Sequence, residues 1–226
     1  MLIILSLALG GILVPLNARI EQSREIATKQ ILNEVNDGLL GFAIRNGRLP
    51  CPASATSNGN ENPQGGVCNN SYNGYVPAVS LGLGHLDAQG YILDAWGNRL
   101  RYAVAKASSS AFTTTDGMKN AGLGVLQSEL LICASAIGTT ASSCGAATSL
   151  TSISNNAPPV IIFSVGKNGA TGGTSTDEKA NLDGNAVFIS HPPTPVEATT
   201  GEFDDMVIWL SPNILYGQMV NAGQLP

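Results

Sequence analysis

The sequence predicts an α+β fold in which a long N-terminal α-helix packs on an antiparallel β-sheet, with disulfide-closed loops. Apolar residues recur at helical spacing from the N-terminus as far as Gly47, and Pro50 cannot continue that helix. Short runs rich in β-branched and aromatic residues then alternate with segments rich in Gly, Asn and Ser. Four cysteines lie in those polar segments.

The first part of the predicted helix is apolar on all sides. Residues 1–18 carry no charged side chain, and Arg19 is the first charged residue. A helix over this stretch spans roughly 27 Å, close to the ~30 Å hydrocarbon core of a bilayer. A cleaved signal peptide would begin with basic residues, and an all-apolar helix is unusual outside large soluble cores. We therefore interpret residues 1–20 as a membrane-spanning segment.

Residues 21–47 predict an amphipathic continuation of the same helix. Its apolar residues recur every three or four positions and so share one face: Ala27, Ile31, Val35, Leu39 and Phe42. Charged residues such as Glu21, Arg24 and Lys29 occupy the other faces. We expect the apolar face to dock on a β-rich domain formed by residues 48–226.

Several segments of that domain have strand signatures. Leu100, Tyr102 and Val104 alternate with other residues after a DAWGN turn, which indicates a strand. Residues 158–166 predict a buried strand, whereas residues 123–137 fit either a strand or a short helix. The other predicted elements are strands at 185–190 and 204–211 and a terminal helix that begins near Pro212.

The composition disfavours nucleic-acid binding. Charged residues make up 12% of the chain, against about a quarter in soluble globular proteins. The formal net charge is −5, whereas a protein that binds the phosphate backbone needs a basic surface.

The four cysteines allow three pairings, and the sequence alone does not choose between them. We favour Cys51–Cys68 and Cys133–Cys144, because each pair closes a short loop. Neither pair has the CxxC-like spacing of a zinc site. Disulfides indicate an oxidising compartment such as the periplasm or the cell exterior.

The residues 10–53, GGILVPLNARIEQSREIATKQILNEVNDGLLGFAIRNGRLPCPA, resemble the N-terminal helix of type IV pilins and type II secretion pseudopilins. The LPCPA segment (49–53) and the DAWGN segment (94–98) resemble one subgroup of this family. IIFSVGKNGATGG, followed later by FDDMVIWLS, is similar to the C-terminal region of major pseudopilins. The family's basic leader, processing site and N-terminal glutamate are expected upstream of Met1, which falls inside the mature family helix.

The resemblance implies a structural subunit of a type IV pilus-like or type II secretion pseudopilus filament. Such a subunit is anchored in the inner membrane with its domain in the periplasm, and it leaves the bilayer to join a periplasmic or extracellular filament. Its partners would be copies of itself or related pilins, the prepilin peptidase and the assembly machinery. The residues expected to serve as membrane anchor and filament core are Leu2, Ile3, Ile4, Leu5, Leu7, Leu9, Ile12, Leu13, Val14, Pro15 and Leu16.

The resemblance also implies a calcium site. In major pseudopilins a Gly-rich loop and a later acidic residue hold the ion, and hard cations require several oxygen ligands. The implied ligands here are Asp205, the best match to the acidic residue, together with Asp204, Asn168, Ser164 and Val165. Asp beside Gly is also ordinary turn chemistry.

We expect no enzymatic activity, because the sequence contains no GxSxG elbow, P-loop or HExxH motif. His85 and His191 lack neighbours in sequence that would make either one a catalytic base. The alternatives to an abundant filament subunit are a minor pseudopilin at the filament tip and a monomeric, membrane-tethered periplasmic binding protein or adhesin.

Overall fold

The computed structural model describes the backbone of residues 2–153 and 156–226 and the side chains of residues 17–153 and 156–226. Helix α1 spans Leu2–Asn46. It ends where Gly47 adopts a φ of +65°, a left-handed conformation that glycine reaches without strain. The side chains of the predicted anchor and filament-core residues, Leu2 to Leu16, lie outside the described residues.

One face of α1 is buried, and it confirms the predicted face in part: Val35, Leu39 and Phe42 are buried, whereas Ala27 and Ile31 are only partly buried. Leu32, Val35, Leu39 and Ala43 are completely inaccessible to solvent. They pack into the main hydrophobic core, against the sheet and the C-terminal helix. Residues 17–20, by contrast, are all exposed, so α1 begins before it reaches the domain.

Within residues 17–153 and 156–226, none of the helices combines the length and the apolar character that crossing a bilayer requires.

The main sheet has four antiparallel strands, which confirms the predicted fold class at the level of a helix on an antiparallel sheet. The strands are β1 (Gly74–Tyr75), β2 (Arg101–Val104), β4 (Val160–Ser164) and β6 (Met206–Leu210), in the order β1-β2-β4-β6. Every residue of β4 is buried, as its apolar run indicates. Its neighbour β6 forms one edge of the sheet and lies against α1.

A second, two-stranded sheet corrects the expectation of a single antiparallel sheet. It consists of β3 (Leu131–Cys133) and β5 (Val187–Ile189), which pair in parallel with Leu131 opposite Val187. Both strands are fully buried. The pair stacks on the main sheet through Phe188, whose ring meets Phe163 of β4 edge to face at 5.7 Å. Burial on both faces explains why these short strands show no alternating pattern.

The remaining helices are short, except for the last one. They are α2 (Ala78–Leu81), α3 (Ala107–Ser110), α4 (Gly117–Ala121), a 3-10 turn at Gly169–Thr171, α5 (Thr176–Ala180) and α6 (Pro212–Asn221). The predicted terminal helix is confirmed as α6, and its buried Leu215 and Met219 pack in the same core as α1.

Both favoured disulfide pairings are present. Cys51–Cys68 closes a loop of sequence separation 17, and Cys133–Cys144 closes one of 11. The described residues contain no free cysteine. The first bond ties the segment after α1 to the loop before β1, and the second joins β3 to the loop that follows it.

Replacing Leu39 by Ala should destabilise the protein by about 2–5 kcal/mol, because it removes buried methyl groups and leaves a cavity beneath α1. Ile26→Ala is the matched control on the same helix, since Ile26 is 52% exposed, and it should change the free energy of unfolding by less than about 0.5 kcal/mol. Urea unfolding measures both. Equal losses in the two variants would mean that the docked face of α1 has been assigned wrongly.

Candidate metal centre

A close approach of two loops creates the site. The loop after β4 turns at Gly166, whose φ is +63°, and the chain before β6 brings Asp204 against it. A Cβ atom added at Gly166 would lie only 2.0 Å from Asp204 Oδ1. Only glycine therefore lets this carboxylate reach the loop backbone.

Three carboxylates from two segments of the chain meet beside this loop. Oxygen atoms of Glu178, Asp204 and Asp205 all lie within 4.8 Å of one another. Glu178 belongs to α5, while the two aspartates directly precede β6. Glu178 and Asp205 are buried and Asp204 is half-buried.

Hydrogen bonds fix the orientation of Glu178. Its Oε2 accepts hydrogen bonds from the backbone N–H of Thr174 (2.7 Å) and of Ser175 (3.2 Å), which completes a capping box at the start of α5. Its Oε1 accepts one from the Asn168 amide (2.9 Å) and one from the backbone N–H of Asp204 (3.1 Å). The carboxylate thus joins α5, the Gly166 loop and the segment before β6.

Two oxygen atoms at the site are buried without a hydrogen-bond donor. They are Asp204 Oδ1 and Asn168 Oδ1. A buried acceptor that has lost water and gained no partner costs free energy, about 1–3 kcal/mol for a neutral group and more for a charged one. A cation with oxygen ligands would remove that cost at both atoms.

Burial and mutual repulsion raise the pKa values of both aspartates. The pKa of Asp205 rises to about 8, mainly because burial disfavours its charged form, and Glu178 and Asp204 add repulsion. The hydrogen bond from Asn181 to Asp205 Oδ2 (2.7 Å) opposes this shift. The pKa of Asp204 rises to about 6, again mainly through burial and then through the charge of Glu178.

A groove of about 430 Å³ gives access to the site from solvent. Asp204 and Asp205 line it together with Glu21 and Glu25 of α1 and with Trp96. The groove therefore separates the exposed part of α1 from β6 and is lined mainly by acidic and apolar side chains.

The structure brings together three of the five predicted calcium ligands. Asp204, Asp205 and Asn168 lie at the cluster. The Ser164 hydroxyl points elsewhere, since it donates a hydrogen bond to Asp94 Oδ2 at 2.6 Å. Val165 is buried, and since its side chain has no oxygen, only its backbone carbonyl could act as a ligand.

Two further acidic residues that lie between the Gly166 loop and β6 in sequence, Asp177 and Asp183, have separate partners. Asp177 accepts a hydrogen bond from the backbone N–H of Ala136 at 2.7 Å, and its other oxygen lies 3.1 Å from His191 Nε2. Asp183 is exposed and accepts hydrogen bonds from Asn185.

Sequence reasoning missed Glu178, the residue that connects the three segments. Its one local signal is the Ser-x-x-Glu pattern with Ser175, and that pattern predicts a helix start rather than a metal ligand. The resemblance to pseudopilins places the acid in the segment before β6 and does not point to α5. Only the folded chain shows that this glutamate faces Asp204.

No protein-family model, curated protein or solved structure matches this chain.

Asp205→Asn should stabilise the metal-free protein at about pH 8 and have little effect at about pH 4. The folded-state pKa of about 8 lies above the ordinary 3.8, so the native state retains a proton that the unfolded chain releases. Stability contributed by this group therefore falls as pH rises between those two values. The Asn side chain of the variant cannot ionise, so this loss of stability with rising pH does not occur in it.

Urea unfolding in EDTA across this pH range measures the effect. Asp37→Asn, on the exposed face of α1, is the control for the loss of one carboxylate. If the stability difference between Asp205→Asn and the unmodified protein did not change with pH, the raised pKa would be wrong.

Proposed function

We propose that this protein is a filament subunit, related to type IV pilins and type II secretion pseudopilins, that polymerises through the N-terminal part of α1. The observation that carries this proposal is the division of α1 into two parts. The helix runs from Leu2 to Asn46, and within residues 17–46 its buried stripe lies between Thr28 and Ala43. Residues 17–20 are exposed, so the helix continues beyond the domain on which it docks.

The sequence of the preceding segment supplies the cohesion. Residues 2–16 are almost entirely apolar, and an apolar helix that leaves its domain must bury its surface in lipid or against other helices. In the proposed cycle the inner membrane holds this segment first, and neighbouring copies cover it later. Burial against neighbours contributes about 25 cal/mol per Å² of apolar surface. Head-to-tail contacts that do not close into a ring then extend as a filament.

We also propose that the acidic cluster binds calcium and that the ion stabilises the outer surface of the subunit. Glu178, Asp204 and Asp205 offer carboxylate oxygens, and Asn168 offers its buried Oδ1. With one oxygen from each, these four side chains supply four of the six to eight oxygens that calcium takes, so backbone carbonyls or water would complete the shell. An ion there would link three chain segments that otherwise carry repelling charges.

The assembly proposal predicts that Leu13→Lys abolishes fibres. A charged side chain in the proposed core costs several kcal/mol when it is removed from water without a partner. Leu123→Lys is the matched control, because Leu123 lies in the globular domain and is 38% exposed. Negative-stain electron microscopy and sedimentation of full-length protein at equal concentration compare the two variants with the unmodified chain.

Removing residues 1–20 gives a second, independent test. The fragment should stay folded and monomeric, because within residues 17–46 the first side-chain hydrogen bond of α1 to the domain is at Glu21, whose Oε2 accepts from Trp96 Nε1 at 3.0 Å. Fibres formed by the fragment would show that the N-terminal part of α1 is not the assembly element. A full-length protein that stayed strictly monomeric would instead favour a membrane-tethered binding protein.

Calcium should raise the melting temperature by about 5–10 °C at a concentration 100 times its Kd, since stabilisation there is about 2.7 kcal/mol. Differential scanning calorimetry in calcium and in EDTA measures the shift. Asp204→Asn should lose most of it, and Asp37→Asn should keep it, because Asp37 is an exposed acid far from the cluster in sequence. Identical melting curves in calcium and EDTA for the unmodified protein would rule out the site.

A further inference from the structure

A second cleft lies beside the Gly166 loop, because Val165 and Gly169 contribute to its lining. It has a volume of about 370 Å³ and is lined by Tyr75, Asn98, Arg99 and Arg101, among others. Arg101 is the first residue of β2 and pairs with Tyr75 of β1. Because successive residues of a strand point to opposite faces, Arg101 lies on the face opposite Tyr102, whose hydroxyl donates to Pro50 O beside the end of α1.

The two arginines of this cleft differ in their charge balance. Arg99 is neutralised by Asp87, with its Nη2 2.9 Å from Asp87 Oδ2, and the same nitrogen donates to Gln89 Oε1 at 3.0 Å. Arg101 forms no ion pair with any carboxylate of residues 17–153 or 156–226. The cleft therefore carries one uncompensated positive charge.

A hydrogen bond holds the Arg101 guanidinium in place, but one of its buried N–H groups has no acceptor. Its Nη2 donates to Asn73 Oδ1, and Asn73 in turn donates from Nδ2 to Leu182 O at 2.9 Å. This second hydrogen bond fixes the Asn73 amide so that its oxygen faces Arg101. The Nε atom of Arg101 is buried without an acceptor.

Aromatic rings form the wall beside this charge. The Arg101 guanidinium lies 4.7 Å from the Tyr75 ring centroid, and that of Arg99 lies 3.9 Å from the Tyr91 centroid. Tyr75 and Tyr91 contact each other edge to face at 5.4 Å. Burial lowers the pKa of Arg101 from its usual value, which reflects the cost of holding this cation away from water. Cation–π contact offsets only part of that cost.

We propose that the cleft formed by Arg101, Arg99, Tyr75 and Asn98 binds a carboxylate, with Arg101 as its charge partner. A single uncompensated cation matches a single negative charge, whereas a phosphate dianion would leave excess negative charge in a half-buried cleft. The planar guanidinium presents paired donors that fit the two oxygens of a carboxylate. The carboxylate belongs either to a small organic acid or to an Asp or Glu side chain of a second copy of this chain.

Titration of ¹⁵N-labelled full-length protein with sodium acetate, observed through the arginine Nε–H signals, tests the proposal. Sodium chloride at equal ionic strength is the control for screening. The Arg101 signal should shift and saturate with acetate and should not saturate with chloride. An Arg101 signal that responds identically to the two salts would overturn the carboxylate site.

Substitutions give a second readout. Arg101→Gln should weaken acetate binding at least about tenfold, which corresponds to loss of a charge-assisted hydrogen bond, and Arg101→Lys should weaken it less because the charge remains. Arg45→Gln, an exposed arginine on α1, removes the same charge and should leave the affinity unchanged. Unchanged affinity in Arg101→Gln, or an equal loss in Arg45→Gln, would contradict the proposal. If Arg101→Gln does not fold, the acetate titrations of Arg101→Lys and of the unmodified protein test the carboxylate site.

Protein concentration separates the two sources of the carboxylate. With no acetate present, an Arg101 signal that moves on dilution indicates that an acidic side chain of a second copy occupies the cleft. A signal that is independent of concentration but saturates with acetate indicates a small organic acid as the ligand. Either result supports the site, and the absence of both responses excludes it.

Discussion

Burial of one face of α1 is the interaction on which the rest of the structure depends. Leu32, Val35, Leu39 and Ala43 are removed completely from water, and full burial of a large apolar side chain contributes about 1.5–3 kcal/mol. The same core includes β4, β6 and α6, so the helix organises both the sheet and the C-terminus. Among the described side chains of α1, this stripe starts at Thr28, and residues 17–20 before it are exposed.

Backbone geometry holds the acidic cluster together although its carboxylates repel one another. Gly166 permits a contact that any side chain would block, and Glu178 accepts four hydrogen bonds that fix its position. The free-energy cost of burying these carboxylates together is reflected in the raised pKa of Asp205 and in the buried oxygen of Asp204 that has no hydrogen-bond partner. Proteins retain such locally unfavourable arrangements chiefly at functional sites, and this is why the cluster is more informative than exposed acids such as Asp183.

Local sequence patterns predicted the elements that are long or whose neighbouring residues mark their ends. The helix end at Gly47, the apolar run of β4 and the two short disulfide loops could all be identified from neighbouring residues. The parallel pairing of β3 with β5 could not, because three fully buried residues per strand carry no periodic signal. Glu178 and Arg101 were missed for a related reason: each gains its role from residues distant in sequence.

The DAWGN turn connects these features physically. Asp94 accepts hydrogen bonds from its own turn and from Ser164 at the end of β4, while Asn98 donates to Gly166 O at 2.7 Å. The same turn reaches α1, because Trp96 donates to Glu21. A displacement of the exposed part of α1 relative to the domain must therefore break the hydrogen bond to Trp96 or move the turn. Movement of the turn would also disturb the Gly166 loop, which lies against Asp204 and contributes Val165 and Gly169 to the lining of the Arg101 cleft.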